Sequence, residues 1–313
     1  MAAYPSTSAF GTRILAMDTG GPEDLDVNYF LILDNVRARG VTIGPRQDFL
    51  VAESVYYLPV GNNKLFILSR EVFVVLCLEE RCPPAPVGSS SMEWSRQDIP
   101  EPPFNARDVA SYAMHPDGRT FLFSTKKKDA SEATFAFDTE ELLWKRLGNW
   151  ALPLAGRGYF DPHLDAFVGL SDDPDTLGQL YCCYAVPRSD NGDRAPEWKL
   201  CKEKLFSDDD PAKRHVNATL VHMGCHGKFC LVLCVYVKDD EDDPADHQPL
   251  IDERGVLRLP PGCRRLYRLT TFSLSHDNNG DLTTGKSRQV HYYKVPKATT
   301  NCFVAEGPVA FWI

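Results

Sequence analysis

The chain has no apolar run approaching the ~18 residues a membrane-spanning helix needs. Its longest, Phe229 to Val237, suits one buried strand. After Met1 there is no apolar core behind a charged start, so a secretory signal is not expected. A cytoplasmic protein with no membrane partner is expected, the nucleus remaining open to it. The chain also lacks a Gly-x-Ser-x-Gly elbow, a phosphate-binding loop and a dinucleotide fingerprint. The enzyme classes that depend on those motifs are not expected, nor is any cofactor. Helical periodicity is nearly absent; the one helix-like run, Asp138 to Leu147, is short.

The ten cysteines lack the regular spacing of a disulfide framework. In a reducing compartment they are expected as free thiols. Basic residues are also in short supply, 34 against 43 acidic, giving a net charge of −9. An acidic surface repels phosphate backbones, so nucleic-acid binding is not expected. The densest basic run, Lys126-Lys127-Lys128, reads as a solvated hairpin tip. What remains is ordinary: 43% hydrophobic and 25% charged residues, within the usual range for globular domains. The 313 residues suit one large all-β domain over 1–313, with a core that needs neither disulfide nor metal. Residues 1–11 are expected to be a disordered tail, and the protein a monomer.

Five segments repeat one pattern. They are YYLPVGNNKLFILS from Tyr56, SYAMHPDGRTFLFS from Ser111, GYFDPHLDAFVGLS from Gly158, LVHMGCHGKFCLVL from Leu220 and CFVAEGPVAFWI from Cys302. Each has an apolar stretch, a turn rich in Gly or Pro, and a second apolar stretch, the signature of a hairpin. A third and a fourth strand follow most copies. They are Phe73 to Cys77 with Met92 to Ser95, Ala133 to Asp138 with Leu143 to Leu147, Gln179 to Tyr184 with Glu197 to Leu200, and Arg265 to Leu269 with Gln289 to Tyr293. Asn-Gly pairs at Asn191-Gly192 and Asn279-Gly280 mark turns between third and fourth strands.

A four-stranded unit of about 50 residues, repeated, predicts a β-propeller. The last copy has two strands. The head offers only Thr12 to Asp18 and Asn28 to Leu33, which read as a third and a fourth strand. Pairing the tail with the head then closes the ring and leaves no open edge. The expectation is a propeller of about five four-stranded blades. A sixth has room between Asp18 and Leu50 or in the insertion from Lys238. An antiparallel β-sandwich is the rival architecture.

The element Phe137-Asp138-Thr139, followed by Trp144 and then Leu152-Pro153, resembles a kelch-type blade. With the preceding HPDGRT from His115, the stretch from Tyr112 to Ser171 resembles a group of plant proteins, notably from grasses, that are kelch-like or F-box-associated-like propellers. That resemblance implies a propeller used for protein interaction and implies no activity. The double glycine of kelch repeats is absent from every copy, and no F-box is seen before Thr12. An adaptor role in ubiquitin ligation is therefore not expected.

No residue set stands out as a catalytic or metal centre. His222, Cys225, His226, Cys230 and Cys234 form the densest Cys/His group. Cys230 and Cys234 lie four apart on one face of an apolar strand, where thiols behave as small hydrophobes rather than zinc ligands. Asp277 to Asp281 carries a calcium-like spacing without its closing Glu, since Arg288 stands there. Asp18, Asp138, Asp161 and Asp165 are nominal acids for a propeller glycosidase, which needs a close carboxyl pair. Asp138 and Asp161 fall at turn positions, where Asp bonds nearby backbone. Trp94, Trp144, Trp198 and Trp312 recur in the repeat and are expected to pack between blades; an exposed one would instead suit a sugar.

The loops from second to third strand, and from fourth strand to the next blade, should gather on one face and form the partner surface. They carry Arg70, then Lys126, Lys127 and Lys128, then Asp172 and Asp173, then the long acidic insertion over 238–262 with Asp239, Asp240, Glu241, Asp242 and Asp243. That insertion is expected to be disordered or to reach a basic partner. The functional expectation is a non-enzymatic interaction scaffold binding a protein. A carbohydrate-binding propeller is the alternative, and a glycosidase-type propeller a more distant one.

Overall fold

The structure is a computed structural model. It describes residues 7–10, 13–19, 28–34, 41–47, 55–70, 72–80, 92–127, 131–184, 195–207, 213–224, 227–238, 250–251, 257–258, 263–294, 310 and 312. The described residues are all-β, with no α-helix and two single-turn 3-10 segments, Ala106–Asp108 and Pro174–Thr176.

Antiparallel meanders follow one another along the chain. The first contains β1 (Thr7–Phe10), β2 (Arg13–Thr19), β3 (Asn28–Asp34) and β4 (Val41–Gln47). The second contains β5 (Tyr56–Val60), β6 (Lys64–Leu68), β7 (Phe73–Glu80) and β8 (Met92–Asp98). The third contains β9 (Val109–Met114), β10 (Thr120–Lys126), β11 (Glu132–Asp138) and β12 (Leu143–Gly148). The fourth contains β13 (Leu154–Asp161), β14 (Ala166–Ser171), β15 (Leu180–Tyr184) and β16 (Trp198–Leu200). The fifth begins with β17 (Lys213–His222) and β18 (Lys228–Lys238), and a short hairpin of β19 (Leu250–Ile251) and β20 (Leu257–Arg258) follows. It continues with β21 (Cys263–Ser273), a second short hairpin of β22 (Ser275–His276) and β23 (Leu282–Thr283), and then β24 (Gln289–Lys294). Its sheet order is β17-β18-β21-β24.

The hairpins read from Tyr56, Ser111, Gly158 and Leu220 are β5–β6, β9–β10, β13–β14 and β17–β18. The copy from Cys302 lies outside the described residues except for Ala310 and Trp312, and so does the Asn191-Gly192 turn. The Asn279-Gly280 turn lies in the third-to-fourth connection, between β21 and β24, where it closes the extra hairpin β22–β23. The run from Asp138 to Leu147 is a turn entering β12, not a helix.

The head differs from expectation. The described residues form four strands there where two were read, and β1 falls within the segment read as a tail; the tail hairpin expected to close the ring lies outside the described residues, Ala310 and Trp312 apart. β4 escaped the pattern because Gly44-Pro45 interrupts it. The β3–β4 register shifts between Tyr29 and Leu31, and β4 is an edge strand. An edge bulge is where a strand tolerates proline. β1 escaped because four residues, Thr7 to Phe10, are too few to show alternation.

Period-two alternation then buries both faces of the inner sheets. On β10, Phe121 and Phe123 meet Phe66, Leu68 and Phe73 of the second sheet, while Leu122 turns to a cluster with Leu154 and Phe167 of the fourth. On β15, Tyr181 and Cys183 face the third sheet, whereas Leu180 and Cys182 face Leu231 and Phe272 of the fifth. The second to fifth sheets are thus stacked in series, each inner sheet between two others, which is not a two-layer sandwich. Some of the aromatic ring contacts are edge-on: Phe73 and Phe137 lie 4.9 Å apart at 63°, and Phe66 and Phe137 lie 5.8 Å apart at 72°. Each such pair adds about 0.5–1.5 kcal/mol beyond its buried area.

The third and fourth meanders also share one ladder. β9 and β13 run parallel, pairing Ser111 with Gly156, Tyr112 with Arg157 and Ala113 with Gly158. A bulge in β13 between Ala155 and Tyr159 makes this approach possible. Gly156 takes a φ of 66°, and at Gly158 an added Cβ would lie 2.9 Å from Leu154 Cδ1. The first strands of these two units therefore lie side by side and point the same way.

Candidate functional site

The seam between the third and fourth sheets opens into a groove of about 460 Å³. One wall comes from the β14–β15 connection. There Asp173 N bonds Ser171 Oγ at 3.0 Å, and the Asp173 carboxylate accepts from Asp175 N at 2.9 Å. Those bonds start the Pro174–Thr176 turn, which carries Pro174 into the groove.

The floor comes from the β12–β13 connection, held by a buried relay of hydroxyls. Ser124 Oγ accepts from Leu152 N at 3.1 Å and donates to Thr134 Oγ1 at 2.9 Å, which donates to Trp150 O at 2.7 Å. All of these hydroxyl groups are engaged, and Ala151 and Pro153 beside them line the floor. Buried hydroxyls that are fully bonded hold a loop in one position.

Two aromatic residues complete the groove. Tyr181 on β15 is almost wholly buried. Trp198 on β16 packs against it edge to face, with ring centroids 5.0 Å apart at 86°, and remains 54% exposed. Pro196 precedes it and lines the same space. Neither the Trp198 indole N–H nor the Tyr181 hydroxyl bonds to a described residue. At the mouth, Lys126 Nζ lies 2.8 Å from Asp172 Oδ2 and 3.6 Å from Glu132 Oε1. Burial pulls the Lys126 ammonium down, but hydrogen bonding to Asp172 and the charges of Asp172 and Glu132 outweigh it and hold its pKa above the usual value.

Of the described surface residues picked from the sequence, Arg70, Lys127, Asp172 and Asp173 lie on second-to-third connections and Lys126 ends β10. Lys126 and Asp172 meet, Asp173 borders the same groove, and Lys127 is exposed beside it. Arg70 is exposed on the β6–β7 connection. Lys128, Asp239, Asp240, Glu241, Asp242 and Asp243 lie outside the described residues.

Trp198 was expected to pack between sheets and does not; the short β16 leaves its ring at the sheet margin. Trp144 does pack, within the Phe66–Phe137 cluster, with Nε1 donating to Pro100 O at 3.0 Å. Trp94 is half-buried against the second sheet, and Trp312 is 58% exposed.

The other polar clusters are structural. Asp161 is fully buried at the end of β13. It accepts from His163 N at 2.9 Å, Leu164 N at 3.0 Å, Gly227 N at 2.9 Å and His222 Nε2 at 2.9 Å. Burial pushes its pKa up, yet the bonds from His222, Leu164 and Gly227 prevail and hold it below the usual carboxylate value. His222 is thereby engaged, while Cys225 and His226 lie outside the described residues. Cys234 is buried and Cys230 half-buried. Asp277 accepts from Asn279 N and Asp281 N within its turn, and Lys202 sits 2.7 Å from its other oxygen. That lysine brings Asp277 down to about 2 and fills the place a cation would need. Asp138 accepts from the N–H groups of Glu140 and Glu141 and pairs with Arg119 at 3.4 Å. Among the described residues no group of three or more His, Cys, Asp or Glu could hold a metal ion, and no helix is long and apolar enough to cross a membrane.

Among curated proteins none matches the chain. Solved structures with similar backbones include TolB from Acinetobacter baumannii, at 14% identity and a TM-score of 0.39, covering 85% of this chain and 62% of that one. The periplasmic gluconolactonase PpgL from Pseudomonas aeruginosa is 14% identical with a TM-score of 0.38, covering 94% of this chain and 89% of that one. This chain therefore spans less than two thirds of the TolB chain. Likenesses of this strength carry no argument about binding or activity. A family profile matches residues 4–293, nearly the whole length, and the chain belongs to the family described as protein of unknown function (DUF1668).

Proposed function

We propose that this protein is a non-enzymatic interaction scaffold, built as a β-propeller of about five blades, that docks a protein partner in the Trp198 groove. Serial stacking of four-stranded meanders supports the propeller reading. So does the parallel pairing of β9 with β13, because radial packing brings the first strands of successive blades side by side around an axis. The kelch-like resemblance agrees with this reading.

The observation that carries the docking reading is the 54% exposure of Trp198 in a groove with a fixed floor. An exposed tryptophan in a concave, largely apolar surface is the residue most enriched among binding hot spots. Of the acids considered for a glycosidase, Asp161 is bonded into the fold and held below the usual carboxylate value, whereas a glycosidase acid needs a raised pKa.

The test compares proteins captured by the immobilised full chain and by its Trp198→Ala variant. Specific partners lost from the variant support the reading, and identical sets remove it. A second reading, a carbohydrate-binding propeller, is favoured by the same exposed ring, since aromatic faces stack on sugars. Glycan-array binding that disappears in Trp198→Ala would move the function there.

A further inference from the structure

We infer that the Trp198 groove takes an extended, proline-rich peptide that carries a basic residue. This rests on the scaffold reading above and names the chemistry of its partner.

The lining argues for it first. Pro153, Pro174 and Pro196 line the groove with Trp198 and Tyr181, so most of the surface is apolar and its prolines are conformationally restricted. Proline-rich segments in the polyproline II form dock into aromatic-lined grooves of this kind. Their ridges pack between rings, and the ligand is already ordered, so little conformational entropy is lost on binding.

The hydrogen-bonding inventory points the same way. Trp198 and Tyr181 bring one N–H and one O–H donor to the groove, neither bonded to a described residue. A polyproline II ligand has no internal hydrogen bonds, so all its carbonyls are free acceptors. Its prolines bring no N–H that would need an acceptor from the groove. Donors on the protein and acceptors on the ligand are therefore matched.

Charge supplies the remaining element. The Asp172 carboxylate is engaged by Lys126. Asp173 and Asp175 are exposed, and neither is ion-paired with a described residue. The protein as a whole carries −9. The lining thus presents one carboxylate without an ion pair to a described residue, Asp173, with Asp175 on the same turn and exposed Lys127 on the neighbouring loop, and a lysine or arginine of the ligand would sit against Asp173. A sugar fits less well: it needs several polar groups turned to its hydroxyls, and the lining cation and its closest carboxylate are already bonded to each other.

The experiment titrates the full chain with a fluorescently labelled synthetic peptide of proline and leucine bearing one arginine, read by anisotropy and by tryptophan emission. The expected result is saturable binding with a shift in emission. Trp198→Ala should weaken it by about tenfold or more, the loss typical of a hot-spot aromatic. Asp173→Asn keeps its bond to Asp175 N and should weaken binding a few-fold, while flattening its dependence on salt. A peptide with the prolines replaced by glycine should bind about tenfold more weakly, having lost its preorganisation. Because Trp198 and Asp173 are exposed, both variants should keep the wild-type thermal midpoint.

Binding that is undetectable, or equal for wild type and Trp198→Ala, overturns the inference. If the peptide fails while Trp198→Ala still loses its captured protein partner, the scaffold reading stands and the proline-rich ligand falls. Trp198-dependent glycan binding without peptide binding overturns both in favour of the sugar.

Discussion

Replacing Asp161 should destabilise the protein out of proportion to its small side chain. Its carboxylate is fully buried and accepts four bonds. Two come from its own β13–β14 turn and two from the β17–β18 turn, so one residue ties the fourth sheet to the fifth. Asp161→Ala leaves up to three backbone N–H groups and His222 without this acceptor. A buried donor left unpaired costs about 1–3 kcal/mol, and breaking a buried charged network about 3–5 kcal/mol. We expect a loss on the order of 3–5 kcal/mol, a large share of a typical domain's stability. Asp161→Asn keeps one oxygen for Leu164 and His163 but turns an NH₂ toward the Gly227 N–H, and should cost about 1–3 kcal/mol.

Urea unfolding measures both, as a lower midpoint at unchanged slope. The pH dependence adds a sign. The folded carboxyl is held below its unfolded value, so the native state binds fewer protons in the acid range. The stabilisation is complete above the unfolded pKa and fades as pH falls through the folded one. The wild type should therefore lose its advantage over Asp161→Asn on acidification. Variants within about 0.5 kcal/mol of wild type, the range of ordinary surface substitutions, would refute the reasoning, as would a gap that widens in acid.

Gly178→Ala should lower the thermal midpoint sharply, because φ is 84° and an added Cβ would sit 2.1 Å from Phe206 O; an unchanged midpoint in a calorimetric scan contradicts the geometry. The thiols of Cys182, Cys183 and Cys201 are buried, and burial raises the last two to about 12 and Cys182 further. They should resist alkylation at pH 8 in the folded protein and react on unfolding, so quantitative native labelling of these three by mass spectrometry would disprove their burial.

The strands were readable where apolar stretches flank a turn rich in glycine or proline. Asp138 and Asp161 were readable as turn residues from their place in the repeat, although nothing local to Asp161 announces that it also reaches Gly227, 66 residues on. β4 was not, because Gly44-Pro45 breaks alternation and its pairing depends on a register shift. Lys126 and Asp172 were both singled out on separate loops, but their meeting is a product of sheet stacking and not of sequence spacing. The groove was illegible for the same reason. Pro153, Pro174, Pro196 and Trp198 come from three connections, and only the seam between two sheets collects them. Trp198 had one signal, a tryptophan two residues after a proline, and its repeat position masked it.

The β9–β13 ladder has a mechanical consequence. Elsewhere among the described residues the meanders touch mainly through side chains and isolated backbone bonds such as that from Lys202 N to Leu282 O, contacts that can peel apart one at a time. Here backbone rungs weld two meanders into an eight-stranded ribbon. A pull applied across that junction loads the rungs together, so this half of the molecule should yield as one cooperative block, later than its neighbours. The groove lies on that block, and its shape should outlast the loosening of the units around it.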